Sequence, residues 1–410
     1  MTTTVFANAV LFDGRTPELQ EGVAVIVEDG RIRDVTATTP SLDDARTIDL
    51  GGRTLMPGLI DAHFHAIAAD ANLARLEHMP ASLIAQFARR HLEAALMRGF
   101  TTIRDAGGAD YGLADAIRSG LIKGPRLFYA GKALSQTGGH GDFRSYEQPL
   151  ICPCCQGGTA LARIADGVTE VRRAARDELR KGASQIKIMA SGGVASPSDP
   201  IWNLQYSDEE IAAAVWEARS WKTYVMAHAY TAEAIRRCLE QGVRSIEHGN
   251  LIDPETAAFA AAKGAFVVPT LVTYEALAEF GERLGMPKAS IAKIEDVRGA
   301  GITALEHLKA AGVKVGFGSD LLGEMHAHQS REFLIRAEVF SSFDILVSAT
   351  SGNAELLNRP RELGEVSPGA AADLVVVDGN PLEDLHLLTG QGERLPLIMR
   401  AGEIVKNDLR

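Results

Sequence analysis

Two histidines separated by one residue, His63 and His65 in "LIDAHFHAIAAD", follow an apolar stretch from Thr54 to Ile60. Side chains alternate along a strand, so both imidazoles leave the same face. Farther on, Lys187 stands in "QIKIM", His228 in "MAHAY", His248 in "IEHG" and Asp320 in "GFGSD", each in or just after a short apolar segment. Imidazole and carboxylate donors without a thiolate suit zinc, manganese, iron or cobalt, and the set alone does not choose among them. One buried histidine is ordinarily a satisfied core residue; recurrence at matching places along the chain makes coincidence a poor account.

Lys187 is the odd member, because an ammonium has no lone pair to offer a cation. A desolvated lysine near positive charge loses its proton readily, and the free amine can add carbon dioxide to become a carbamate, a two-oxygen anion able to bridge two cations. His63, His65 and Asp320 would then hold one ion, and His228 and His248 the other. Position alone leaves open the alternative of a salt-bridged lysine.

Residues so far apart in the chain need a scaffold that gathers strand ends. Short apolar strands are expected at Leu55–Ile60, Thr101–Asp105, Arg126–Ala130, Gln185–Met189, Thr223–His228, Ser245–His248, Phe266–Pro269 and Val313–Gly318, each followed by an Ala-rich amphipathic segment. Helix starts carry the right chemistry: Ser207 with Glu210 forms a capping box, Asp253 precedes Pro254, and Thr231 opens a segment closed by Gly242. Alternating strands and helices argue for a parallel sheet, and about eight repeats close a TIM barrel, whose strand C-termini form the active site. A doubly wound open sheet is the alternative, disfavoured because no Gly-rich phosphate fingerprint follows the first strand. Both chain ends read instead as short strands with turns, such as "GVAVIVEDGRIRDV" and "GAAADLVVVDGNPL". The fold class expected is therefore α/β, a (β/α)8 TIM barrel over residues 55–362, with a small β-sandwich domain assembled from residues 1–54 and 363–410.

The 410 residues carry 53 acidic and 42 basic side chains, a net charge of −11, without a basic stripe, so nucleic acid is not an expected partner. No apolar run approaches about 18 residues and the N-terminus lacks the marks of a signal peptide, so neither a membrane nor export is expected. As given, the chain reads as cytoplasmic; a leader already removed would leave no trace. Of four cysteines, Cys152, Cys154 and Cys155 crowd into "ICPCCQGG" and Cys238 lies in a helical stretch. The second pair of a thiolate zinc site is missing, and free thiols in a loop are expected. His78, His91, His307, His326 and His386 have no placement at a strand end and are expected at the surface or in loops.

From "PGLIDAHFH" through "IKIMASGG", "AHAY", "IEHG" and "GFGSD" to "GAAADLVVVDGNP", the chain resembles the amidohydrolase superfamily along nearly its whole length. It looks most like the binuclear metallo-carboxypeptidases and dipeptidases, the prolidase-like, imidazolonepropionase-related branch that includes ochratoxin-hydrolysing amidases. The resemblance implies two divalent cations, zinc being the expected metal, bridged by N6-carboxylated Lys187, and a homo-oligomer. The expected reaction is hydrolysis of the amide bond of a small N-acyl amino acid or dipeptide. Paired cations would ionise a shared water, and Asp320 would take its proton and pass it to the leaving amine.

His140, in the glycine-rich "SQTGGHGDFRS" after the third strand, is a candidate to polarise the scissile carbonyl. Tyr230, and more weakly Arg144, are candidates to bind a substrate carboxylate. Loops carrying Trp202 and Leu204, and Leu271, Tyr274 and Leu277, would shape a mildly apolar pocket. The same centre could instead serve a lactone, cyclic-amide or organophosphate hydrolase. A deaminase fits less well, since that chemistry usually uses one metal without the lysine. A barrel kept only as a scaffold would be expected to have lost ligands.

Overall fold

The computed structural model describes residues 3–42, 45–144, 161–196 and 198–409. Eight strand positions close into a parallel barrel. Leu59–Phe64, Phe100–Asp105 and Arg126–Tyr129 pair in that order. The third position continues as Ala133–Ser135, which lies against Ile186–Met189. Val225–Thr231, Ser245–Leu251, Phe266–Val268 and Lys314–Val315 follow in parallel. The cylinder closes where Ala62 N donates to Phe317 O at 2.8 Å and Asp320 N donates to His63 O at 2.8 Å. Covered on both faces, these strands need apolar side chains throughout, and Ile186–Met189 and Phe266–Val268 are wholly buried.

The helix caps form as their chemistry demands. Ser207 accepts from Glu210 N while the Glu210 carboxylate accepts from Ser207 N, a complete capping box. Asp253 accepts from Thr256 N ahead of Pro254, and Thr231 accepts from Ala234 N. Alanines such as Ala213, Ala214 and Ala218 are fully buried, which lets the helix between Asp208 and Ser220 pack close to the strands. Among the described residues no helix is long and apolar enough to cross a membrane.

Both termini join one mixed sheet beside the barrel. Its order runs Glu403–Asn407, Leu397–Arg400, Leu374–Val377, Thr54–Pro57, Thr4–Leu11, Gln20–Glu28 and Arg31–Thr36, with Arg46–Asp49 paired to Thr4–Leu11. The single strand expected at Leu55–Ile60 is thus two. Thr54–Pro57 pairs antiparallel with Leu374–Val377 in the terminal sheet, and the barrel begins at Leu59. An uninterrupted apolar run hides the change of sheet, which occurs at Gly58. A Cβ there would overlap the side chain of Thr101.

Gly58→Ala is accordingly expected to destabilise the protein by about 1–3 kcal/mol through overpacking. A urea midpoint unchanged from the parent would show that the crossing has slack.

Candidate metal centre

The ends of the first and eighth strands bring three donors together. His63 Nε2 and His65 Nε2 lie 3.3 and 3.2 Å from Asp320 Oδ1. One ligand atom from each of these residues falls within 4.8 Å of the other two, so the group can hold a metal ion. His63 Nε2 is buried and has no hydrogen-bond partner, the condition of a lone pair awaiting a cation. The alternation read from the sequence therefore does place both imidazoles on one face.

His228 and His248 complete the ring of imidazoles. The His248 ring centroid lies 5.0 Å from that of His63 and 4.7 Å from that of His228, and Lys187 lines the same cleft. In all four histidines one ring nitrogen has a protein partner. His63 Nδ1 lies 2.7 Å from Glu247 Oε2, His65 Nδ1 is 3.0 Å from Gly107 O, His228 Nε2 is 3.1 Å from Gly192 O, and His248 Nδ1 is 2.8 Å from Thr270 Oγ1. With an N–H donated outward to these acceptors, the other nitrogen of each ring keeps its lone pair for the centre.

Electrostatics favour the ligating protonation states of His228, His248 and Asp320, whereas for His65 the lowering by burial is outweighed by Asp320 and Asp105, which raise it. Burial, reinforced by His140, His248 and Lys187, holds His228 well below the usual imidazole range, and burial does the same to His248 despite Asp320. Both rings are neutral at pH 7. Burial pushes the Asp320 carboxyl up, but His63, His65 and His248 outweigh it and keep the group ionised. Lys187 is lowered to about 8 by burial, which Glu247 and Asp320 only partly offset.

Glu247 escaped the sequence reading. Alternation would place it on the face opposite His248, yet His248 has φ of 73°, a left-handed conformation that interrupts the strand geometry. Both side chains consequently serve the interior. Burial would raise the Glu247 carboxyl, but Arg104 and the His63 hydrogen bond hold it below the ordinary carboxylate range.

His140 lines the cleft, stacked on His228 at 4.2 Å between centroids. Tyr230 lines it too, its hydroxyl 2.9 Å from that of Tyr274. Arg144 is turned elsewhere: its Nε donates to Asp142 Oδ1 at 2.6 Å, and it is not among the lining residues. Tyr274 and Leu277 contribute to the wall of the cleft as expected, with Leu73, Phe143, Leu161, Val194 and Leu322. Trp202 is 73% exposed and outside this wall, and Leu271 is packed in the barrel core. His91 and His326 are not surface residues. Both are 3% exposed, their ring centroids 4.2 Å apart beneath the first strand's end, a placement that histidines on an α-helix and a short 3-10 helix do not announce in sequence. Cys152, Cys154 and Cys155 lie outside the described residues, and Cys238 is a buried free thiol pushed up to about 12 by burial.

Residues 54–405 match the model of the Amidohydrolase family. A solved prolidase, complexed with N-methylphosphonate-L-proline, is 52% identical, with a TM-score of 0.97 over 99% of this chain and 100% of that one. A Xaa-Pro dipeptidase with bound methionine in its active site is 30% identical, with a TM-score of 0.89 over 99% and 100% of the two chains. Ochratoxinase of Aspergillus niger is 34% identical over 368 residues, 86% of this chain and 75% of that protein. A family match spanning the whole barrel, around two histidines and an aspartate fit to hold a metal ion, makes this chain an enzyme of the amidohydrolase family.

Proposed function

We propose that the protein is a binuclear metal-dependent hydrolase that cleaves the amide bond of small N-acyl amino acids or dipeptides and releases the C-terminal residue. The observation that carries this is the convergence of His63, His65, Lys187, His228, His248 and Asp320 on one cleft, in a chain 52% identical to a prolidase that binds a phosphonate built on proline. In that compound phosphorus occupies the place of an acyl carbon on the proline nitrogen, which motivates testing N-acyl and aminoacyl prolines first.

In this reading His63, His65 and Asp320 would hold one divalent cation, His228 and His248 a second, and a carboxylated Lys187 would supply the counter-charge between them. Ions so held would activate a water at neutral pH and polarise the scissile carbonyl. Asp320 accepts the proton of the attacking water and returns it to the leaving nitrogen. His140, stacked on His228 in the wall of the cleft, meets the carbonyl oxygen. The Tyr230 hydroxyl, in reach of Tyr274, offers a donor to the substrate carboxylate, and burial keeps its proton in place. Arg144, spent on Asp142, is not assigned to that role.

Incubating the zinc- and bicarbonate-treated enzyme with a library of dipeptides and N-acyl amino acids should release free C-terminal residues by mass spectrometry, prolines among them. Turnover confined to lactones, cyclic amides or phosphotriesters would replace this assignment with the alternative one. Lys187→Ala should lower bound metal from two ions per chain and reduce kcat by about 100-fold or more; full metal occupancy in that variant, read by elemental analysis, would remove the lysine from the site. Asp320→Asn should reduce kcat by roughly 10²–10⁴-fold, and undiminished kcat would take it out of proton transfer.

The free amine is the form of Lys187 that adds carbon dioxide. Its share rises as pH passes through about 8. Recovery of activity by metal-free enzyme given zinc at fixed dissolved carbon dioxide should therefore be about tenfold faster near pH 9 than near pH 7. His228 and His248, neutral throughout that interval, should add nothing to the slope.

A further inference from the structure

We infer that Asp199, set in place by Lys293, is the positioning residue of His140, supplying the negative charge against which that ring works on the substrate. The inference rests on the amide-hydrolase reading for what His140 touches, but its geometry is independent of it. Asp199 sits in the loop after the fourth strand with its side chain fully buried. Oδ2 accepts from Gly193 N at 3.1 Å and from Gln205 Nε2 at 3.0 Å, and lies 3.3 Å from His140 Nδ1. Oδ1 is buried without a hydrogen-bond partner.

A merely structural role does not call for a charge here. An asparagine oxygen could accept the same two N–H groups, and burying a carboxylate with one bare oxygen is costly unless a cation answers it. Lys293 is the obvious candidate, yet its three protons are taken by the backbone oxygens of Gly193, Ser196 and Asp199, at 2.8, 2.9 and 2.6 Å. Its Nζ stands 3.9 Å from Asp199 Oδ1. Lys293 thus shapes the loop, and the His140 ring is the nearer partner of the carboxylate.

The ring has little freedom to turn away. His140 N donates to Gln205 Oε1 at 2.8 Å, Nδ1 is 3.0 Å from Ser196 Oγ, one face stacks on His228, and a Cβ at Gly193 would collide with the ring. With Nδ1 against Ser196 and Asp199, Nε2 is the nitrogen left for the cleft. Asp199 and Ser196 therefore hold the ring by Nδ1 with Nε2 turned to the place where the scissile carbonyl would lie, and a ring free to swing would lose that contact as charge builds on the oxygen. Asp199 then acts on the transition state more than on the bound substrate, which is a demand on kcat.

The test is a double-mutant cycle on the zinc-loaded full chain, using the best substrate found. Asp199→Asn, which keeps the backbone partners, should lower kcat by about 10- to 100-fold with KM changed less than about threefold and zinc content unaltered. In a His140→Ala background the same change should cost less than about twofold. Equal losses in both backgrounds, or an effect on KM or zinc alone, would overturn the inference. Nitrogen-15 histidine spectra add a readout free of turnover: a proton on His140 Nδ1, assigned by its absence in His140→Ala, should be seen in the parent and shifted in Asp199→Asn. An unprotonated Nδ1 in the parent also overturns it. Absence of any amide turnover by the parent would defeat the functional reading instead, leaving the spectra to decide this one.

Discussion

One buried carboxylate is shared between a guanidinium and an imidazole at the axis of the barrel. Arg104 Nη2 donates to both oxygens of Glu247, at 2.9 and 3.0 Å, while Glu247 Oε2 faces His63 Nδ1 at 2.7 Å and Ser245 donates to Oε1. Removing two charges from water costs several kcal/mol each, repaid only by good geometry and satisfied hydrogen bonds. Arg104 meets the second condition by also donating to Ala62 O, next to His63. The second, sixth and first strands are thereby tied at one level, and the tie fixes which nitrogen of His63 faces the metal centre. Fold and site depend on the same bonds.

A second constraint lies in the backbone. His248 within the sixth strand, and Thr270 and Asp320 beyond the ends of the seventh and eighth, have φ of 73°, 39° and 54°, left-handed values that cost non-glycine residues about 1–3 kcal/mol each. Such conformations persist where surroundings over-determine them, and here they do. His248 and Thr270 are joined through Nδ1 and Oγ1, and Asp320 N donates to His63 O. Beneath Asp320, the buried Asp61 accepts from His63 N and from Ser319 N and Oγ. The turns at His248 and Asp320 direct their side chains into the cleft, and the buried Thr270 holds the His248 ring there.

What could be read from the chain, and what could not, divides along these lines. Strand alternation was enough for His63 and His65, even though the pairing of their strand shifts register between Asp61 and Phe64, and the caps at Ser207, Thr231 and Asp253 are local chemistry visible in any sequence. The eight repeats led to the barrel for the same reason. Glu247 was hidden by the left-handed turn of its neighbour, and Arg104 by lying in a strand whose charge looked accidental. The boundary at Gly58 was hidden because both strands flanking it are equally apolar; only pairing partners distinguish them. Asp199 and Lys293 meet across about a hundred residues, and no spacing rule reports that. Arg144 shows the converse: a cation near the right loop, satisfied by Asp142 two residues away.

The charge balance of the cleft explains why Lys187 matters most to the functional reading. Glu247 is answered by Arg104 and partly by His63, so Asp320 is the carboxylate left to face the donors. One negative charge against two divalent cations would leave a strongly positive, desolvated pocket, and an ammonium at Lys187 would worsen it. Converting that amine to a carbamate exchanges a positive group for a negative one without moving the backbone. In the proposed reading, the lowered affinity of Lys187 for its proton, a result of burial, is what would make that exchange attainable near neutral pH. A leucine or methionine there would pack as well between the strands and leave the cations without a counter-charge. In the proposed reading, the burial that makes the lysine costly to fold is therefore the same property that would fit it to hold metal.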